Sequence, residues 1–226
     1  MSTAQLVAMG ADLTHVSLLA RRGWLTRLGR GVYQLPGDEL TVQGCLALLC
    51  SENHSLHVGS KTALNWRGIR HNVAVRETVE LWGTRVLRLP PWLTTKVACH
   101  YQTSHLFSPA MPVDLGLSPL PGGRPEIPVS VPERALLELL SNVGKNQTLE
   151  EARYIVEGTS SLREPVLDQL MAHVDRVKVV RLAASLASEF DLPWSPVAAK
   201  HSERVGGGAR WTAVTKSGER IDLLRK

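Results

Sequence analysis

The sequence has 226 residues, of which 43% are hydrophobic and 21% charged, and its formal net charge is +5. These values are ordinary for a folded protein of one or two domains and exclude a mainly disordered or collagen-like chain. The three cysteines have no paired spacing, so we predict neither a disulfide framework nor a metal site. Without a secretory leader or an apolar run of bilayer length, the expected location is cytoplasmic, with no membrane contact.

Basic and acidic residues are unevenly distributed along the chain. Residues 1–36 hold four arginines against one aspartate, residues 112–175 hold five basic against ten acidic groups, and residues 200–226 hold seven against three. The acidic groups are concentrated in one block, which leaves other segments free to form basic faces. Such faces are typical of nucleic-acid binders, although ordinary solvated surface explains so small an excess about as well.

Two short helices followed by a hairpin are predicted at the N-terminus. A capping box at Ser2 begins a helix that ends before Gly10, and Asp12 caps a second helix that ends before Gly23. Short β-prone runs then bracket Arg30, which lies between two glycines, and they predict a hairpin with a basic tip. This order is that of a winged helix-turn-helix, whose second helix enters the DNA major groove.

The candidate DNA-binding residues are the polar side chains of this second helix and of the hairpin. Side chains of the helix would face base edges, and cations of the hairpin would contact phosphates. A helix-turn-helix pattern alone is a weak signal, because paired amphipathic helices are common in structural bundles, but the basic hairpin strengthens it. The candidates are Thr14, His15, Ser17, Arg21 and Arg22 on the helix, and Arg27 and Arg30 on the hairpin.

The rest of the chain predicts a mixed α/β domain, so the fold class is α+β. We place the winged helix at residues 1–37, extending to about 52 at most, and the second domain at residues 53–226. Capping boxes at Ser130, Thr148 and Ser161 introduce three of the later helices, and strands are expected between residues 73 and 107. The predicted elements are helices at 41–51, 60–66, 133–141, 149–157, 163–173 and 177–190, a strand at 55–58, a long loop at 109–128, and a terminal hairpin that turns at 216–218.

Other chemistries have weaker support in the sequence. The run from Gly59 to Thr62 contains part of a phosphate loop, but its first glycine is missing, and helix capping by Ser60 is the better interpretation. His54 and His57 lack the partners of a metal site, and no nucleophile motif is present. We therefore predict neither an enzyme nor a cofactor. The six tryptophans are mostly assigned to core or turn packing rather than to stacking on bases.

A second basic surface is a further candidate in the C-terminal part of the chain. It could contact phosphates or a protein partner, and it could equally be plain solvated surface. Its members are Lys178, Arg181, Arg204, Arg210 and Lys216.

Several motifs, taken in order, resemble the AbiEi family of antitoxins from type IV toxin–antitoxin systems. The run LTHVSLLARRGWLTRLGRGVYQLPG is similar to the recognition helix and wing of that family. Further matches are HVGSKTALNWRGI, LPPWL, PVSVPERALLELL and VKVVRLAASLASEFDLPW, which together span most of the chain. The family places another helix before the two found here, so we expect either an incomplete winged helix, one packed by a different element, or a misassigned start.

The resemblance implies a DNA-binding autorepressor and antitoxin. Its DNA target would be its own promoter, with inverted repeats, and its toxin would be a nucleotidyltransferase-like protein encoded beside it, often in a phage-defence system. The antitoxin role would belong to residues 53–226, without an identifiable residue. The alternative is a protein-interaction module whose degenerate winged helix does not bind DNA.

Overall fold

The computed structural model describes residues 1–69, 78–103, 105–205, 211–214 and 220–223. The helices in these ranges are α1 (Thr3–Ala8), α2 (Leu13–Arg21), α3 (Val42–Glu52), α4 (Ser60–Trp66), α5 (Pro91–Thr94), α6 (Pro132–Asn142), α7 (Leu149–Glu157), α8 (Glu164–Ala172), α9 (Val177–Glu189) and α10 (Ser195–Arg204). The strands are β1 (Thr26–Gly29), β2 (Val32–Gln34), β3 (His57–Val58), β4 (Val79–Gly83), β5 (Cys99–Thr103), β6 (Leu117–Ser118), β7 (Val129–Ser130), β8 (Trp211–Val214) and β9 (Arg220–Leu223). None of the helices in these ranges is long and apolar enough to cross a membrane.

The first two helices end in the same way, and this shapes the helix-turn-helix. Gly10 and Gly23 follow the last residues of α1 and α2 with φ angles of +94° and +78°. After α2, the N–H groups of Gly23 and Trp24 donate to the carbonyls of Ala20 and Leu19, which is a Schellman motif. Glycine is favoured there because side chains strain this left-handed backbone. The predicted capping box at Ser2 and the cap at Asp12 are both confirmed.

The head, residues 1–37, has its own small core and an antiparallel hairpin. Leu6 of α1, Val16 of α2, Leu25 and Tyr33 form a buried cluster that is separate from the main core. β1 pairs with β2, and an isolated bridge at Ser2 and Val32 joins the N-terminal residues to this hairpin, with backbone hydrogen bonds exchanged between Met1 and Tyr33. The predicted fold class is confirmed.

The main core lies around a five-stranded mixed sheet with the order β5-β4-β3-β7-β6. The pairs β4–β5 and β3–β7 are parallel, whereas β3–β4 and β6–β7 are antiparallel. Helix α6 is almost entirely buried between this sheet and the later helices, and α3 contributes its leucines to the same core. The indole side of Trp92 lies against Gly29 of β1, and this contact joins the head to the main core.

Several predicted helix starts are wrong. Helix α6 begins at Pro132 with Val131 as its cap, and the hydroxyl of Ser130 instead donates to a buried carboxylate. Helix α8 has Arg163 rather than Ser161 at its cap, while Thr148 does cap α7. Ser60 is not a cap either, because Gly59 holds that position before α4.

Two further differences concern secondary structure. Residues 84–89 form no strand, since they lead into two consecutive prolines and the side chain of Val86 is 95% exposed. Helix α10 was not predicted, because Pro196 was interpreted as a break although proline is tolerated in a first helical turn. The terminal hairpin is confirmed as β8 paired with β9. Its turn and the start of the predicted strand region, residues 70–77, lie outside the described residues.

Candidate nucleic-acid interface

Helix α2 presents most of its surface to solvent. The carboxylate of Asp12 accepts from the Thr14 N–H at 3.1 Å and so fixes the first turn. Val16 is the residue that anchors the helix in the small core, with 1% of its surface exposed. The side chains of Thr14, His15, Ser17 and Arg21 are exposed, so one face of the helix is free to enter a groove.

The wing, the β1–β2 hairpin, carries its cations at and beside the turn. Arg27 and Arg30 are both exposed, and Arg27 donates from Nε to the carbonyl of Gly29 at 3.2 Å. The N–H of Thr3, at the start of α1, donates to the carbonyl of Gly31 at 2.7 Å. This bond joins the wing to the start of α1.

The four arginines of the head have no carboxylate partner. Among the described residues, none of Arg21, Arg22, Arg27 and Arg30 takes part in an ion pair. Several cations elsewhere are paired, as in the 2.7 Å contact from Lys61 to a glutamate of α7. An exposed, unpaired guanidinium can donate to a phosphate without first losing an internal partner.

An exposed tryptophan lies between the helix and the wing. Trp24 follows the Schellman turn of α2 and is 68% exposed. Trp82, Trp92 and Trp194 are buried, as predicted for most of the tryptophans, but Trp24 is not. It follows Arg22 by two residues and adds an exposed indole to this part of the head.

The predicted second basic surface has a different character. Lys178 on α9 donates from Nζ to the carbonyl of Val143, and burial together with nearby Lys145 and Arg176 lowers the pKa of Lys178 to about 8. Arg204 on α10 donates to the last carbonyls of α8 at 3.0 and 3.2 Å. Arg181 is half-buried on α9, while Arg210 and Lys216 lie outside the described residues. This surface stays a prediction.

A buried polar cluster, absent from the sequence predictions, surrounds Glu138 of α6. Its carboxylate accepts from His57 Nε2, the Ser60 N–H and the Ser130 hydroxyl, each at 2.9 Å, and from Arg134 Nε at 3.0 Å. Burial alone would raise the pKa of Glu138, but the charges of His57 and Arg134 and the hydrogen bonds lower it overall. The one sequence signal is a charged pair four residues apart inside a leucine-rich helix.

Metal and phosphate-loop chemistry finds no support in the described ranges. No group of three histidine, cysteine or acidic side chains there could hold a metal ion. His54 is exposed while His57 binds Glu138, so the two do not act together. Lys61, the lysine of the partial phosphate loop, is paired with Glu151 instead.

Two helices joined by a tight turn and followed by a basic hairpin define the winged helix-turn-helix class of regulatory proteins. The chain belongs to the AbiEi antitoxin family, as the motif resemblance predicted. Residues 1–75 match the model described as "Transcriptional regulator, AbiEi antitoxin N-terminal domain". Residues 76–223 match "Transcriptional regulator, AbiEi antitoxin, Type IV TA system".

Comparison with individual proteins adds a fold match. No curated protein matches the chain significantly. Among solved structures, the RV2827C protein from Mycobacterium tuberculosis superposes with a TM-score of 0.60 at 13% sequence identity. The match covers 93% of this chain and 78% of that one. At this identity the likeness concerns the fold.

Proposed function

We propose that this member of the AbiEi family represses its own promoter by binding duplex DNA through the head. The observation that carries the proposal is the set of four exposed arginines on α2 and the wing, none of which has a carboxylate partner among the described residues. In this arrangement α2 lies in the major groove, where Thr14, Ser17 and Arg21 face base edges. Arg27 and Arg30 of the wing contact phosphates and fix the register.

The domain division supports the same proposal. Residues 1–37 contain both DNA-facing elements and a separate small core, whereas α3 packs into the main core. We therefore assign DNA reading to residues 1–37 and antitoxicity to residues 53–226. The second basic surface, represented here by Arg181 and Arg204, would add phosphate contacts when the protein lies along the duplex.

A gel-shift series tests the DNA-binding proposal. The duplex is the segment upstream of the protein's own gene, with a random duplex of equal length as comparison. The full chain should shift the upstream duplex more tightly, and a reporter driven by that segment should be repressed when the protein is present. Equal affinity for both duplexes, or an unchanged reporter, would contradict autorepression.

The proposed toxin is a nucleotidyltransferase-like protein encoded beside this chain, as the family membership supports. Co-expression of that neighbour with the full chain should restore growth that the neighbour alone arrests. The head arginine variants serve as the informative controls. If Arg27→Ala and Arg30→Ala abolish repression but leave growth rescue intact, the two roles lie in separate parts of the chain.

A second candidate function is protein binding by a head that does not read DNA. It is favoured by the exposed apolar side chains of Leu13, Leu18 and Trp24, which are 59%, 37% and 68% exposed. Apolar side chains at this exposure are typical of protein contacts when they are contiguous. An absent shift at low salt, together with direct binding of the purified neighbour-encoded protein, would favour this function over DNA reading.

A further inference from the structure

A cavity of about 340 Å³ lies in the C-terminal domain, and its lining includes no residue of the head. Its walls come from the ends of the parallel strands β4 and β5, from the segment that follows β5, and from α6. Ligands of α/β sheets commonly bind beyond the carboxyl ends of parallel strands. The volume also falls in the range of small-molecule sites.

One end of the cavity is lined by charged and polar side chains. Glu138 and Arg134 both line it, and His57 lies beside them with its Nε2 on the carboxylate at 2.9 Å. The Glu138 carboxylate is filled by internal donors, namely His57, the Ser60 N–H, the Ser130 hydroxyl and Arg134 Nε. The guanidinium of Arg134 is therefore the permanent cation that this end of the cavity presents.

Two hydrogen-bond donors at this end have no partner among the described residues. The indole of Trp82 is 4% exposed, and its Nε1–H donates to nothing. Arg134 uses Nε on Glu138 and Nη1 on the carbonyls of Val113 and Leu115, which leaves Nη2 without a bond. Buried donors are nearly always satisfied in folded proteins, so the Trp82 indole indicates an acceptor that is supplied from outside, and Arg134 Nη2 offers a second donor to the same acceptor.

The remaining walls are apolar and aromatic. The guanidinium of Arg134 lies over the ring of Phe107, 5.4 Å from its centre. Leu106 and Met111 complete this side, opposite the indole of Trp82. A flat apolar group would contact these surfaces while its charged end faces the unfilled donors.

We propose that this cavity binds a small organic anion with a flat apolar body, of the class of the aromatic carboxylates. The carboxylate accepts hydrogen bonds from Trp82 Nε1 and Arg134 Nη2, and its ring contacts Phe107. The cationic guanidinium of Arg134, with Nη2 available as a charged donor, selects an anion over a neutral or cationic compound of the same shape. This site is independent of DNA binding by the head, and its test needs no DNA.

The first experiment is calorimetric titration of the full chain with sodium 2-naphthoate and, in parallel, with neutral 2-naphthamide. The anion should bind at one site and about tenfold more tightly than the amide, because hydrogen bonds to a charged acceptor are roughly twice as strong. In an NMR titration, the indole N–H resonance that is absent from the Trp82→Phe protein should move in step with saturation.

The Trp82→Phe variant tests the donor itself. It keeps an aromatic ring, and it removes an N–H that makes no internal hydrogen bond, so the fold should be retained. Naphthoate affinity should fall about tenfold. The matched control is Trp66→Phe, which alters a half-buried indole outside the cavity and should leave naphthoate affinity unchanged.

The proposal is overturned by any of three results. The first is the absence of saturable naphthoate binding, which would mean that the cavity holds only water. The second is equal affinity for the anion and the amide. The third is unchanged naphthoate affinity in a folded Trp82→Phe protein.

Discussion

Removal of both wing arginines should reduce the salt dependence of DNA binding by a calculable amount. In the Arg27→Ala, Arg30→Ala double variant, two exposed guanidinium groups without carboxylate partners are lost. Each phosphate that a cation neutralises contributes about 0.9 to the slope of log affinity against log salt. The slope of the double variant should therefore be shallower by about 1.8.

This change in slope becomes a large difference across an ordinary salt range. When the salt concentration rises fourfold, from about 50 to about 200 mM, a slope difference of about 1.8 corresponds to a factor of about twelve in affinity. The parent protein should thus lose about twelve times more affinity than the double variant over that range. The dissociation constants at each salt concentration are measured by fluorescence anisotropy, with labelled upstream and random duplexes of equal length. The reduction should be the same on both duplexes, because phosphate contacts carry no sequence information.

The matched control is the Arg85→Ala, Arg88→Ala double variant, which removes two positive charges from exposed positions outside the head that also have no carboxylate partner among the described residues. Its slope should equal that of the parent, and both double variants should melt near the parent temperature because exposed side chains contribute little stability. An equal fall in slope for both double variants would show that total charge, rather than the wing, governs binding. An unchanged slope in the wing variant would refute the assignment of these arginines to phosphates.

Three further predictions concern the helix and the buried cluster. Arg21→Ala should weaken binding to the upstream duplex by about 1–3 kcal/mol per lost base contact but leave random duplex nearly unaffected, as the ratio of the two dissociation constants would show. Glu138→Gln leaves the buried side chains of Arg134 and His57 without their carboxylate. Urea unfolding should therefore show a loss of about 3–5 kcal/mol, and a loss below about 1 kcal/mol would contradict the paired cluster. Burial alone would raise the pKa of Glu138, but its partners hold this pKa below the ordinary value of 4.5. The stability that the ionised carboxylate provides is therefore present above pH 4.5 and is lost as the pH falls below that value. The urea midpoint should therefore drop more steeply below pH 4.5 in the parent than in Glu138→Gln, and parallel curves would be inconsistent with a lowered pKa.

The head could be predicted from sequence because each of its elements is specified locally. The capping side chains of Ser2 and Asp12 lie within three residues of the N–H groups they bind. Gly10 and Gly23 provide the left-handed turns that end the two helices. Interactions over such short spans depend on local residue spacing, so the order of the two helices and the hairpin could be predicted directly from the sequence. What the pattern did not contain was the exposure of Trp24, which depends on where the neighbouring chain packs.

The buried cluster could not be predicted, because its members are far apart in the sequence. His57 and Ser60 contact Glu138 across 81 and 78 residues, and no local spacing records that proximity. The same long-range contact explains why Ser130 is not a helix cap. Its hydroxyl donates to Glu138, and Pro132 begins the helix without a capping side chain. A capping box is a local motif, and here a buried carboxylate competes for the same hydroxyl.

The head is distinguished by four arginines within residues 21–30, none of which forms an ion pair within the described ranges. The acidic block predicted a separation of charge along the chain, and four of its ten carboxylates, those of Glu133, Glu138, Glu151 and Asp168, pair with nearby cations. Glu133 binds Arg163 through both oxygens, at 2.8–3.0 Å, and Glu151 binds Lys61 at 2.7 Å. Each of these pairs removes one basic and one acidic group from the surface that DNA would meet. The arginines of α2 and the wing have no such partners among the described residues, so a modest net charge of +5 still leaves a concentrated basic face.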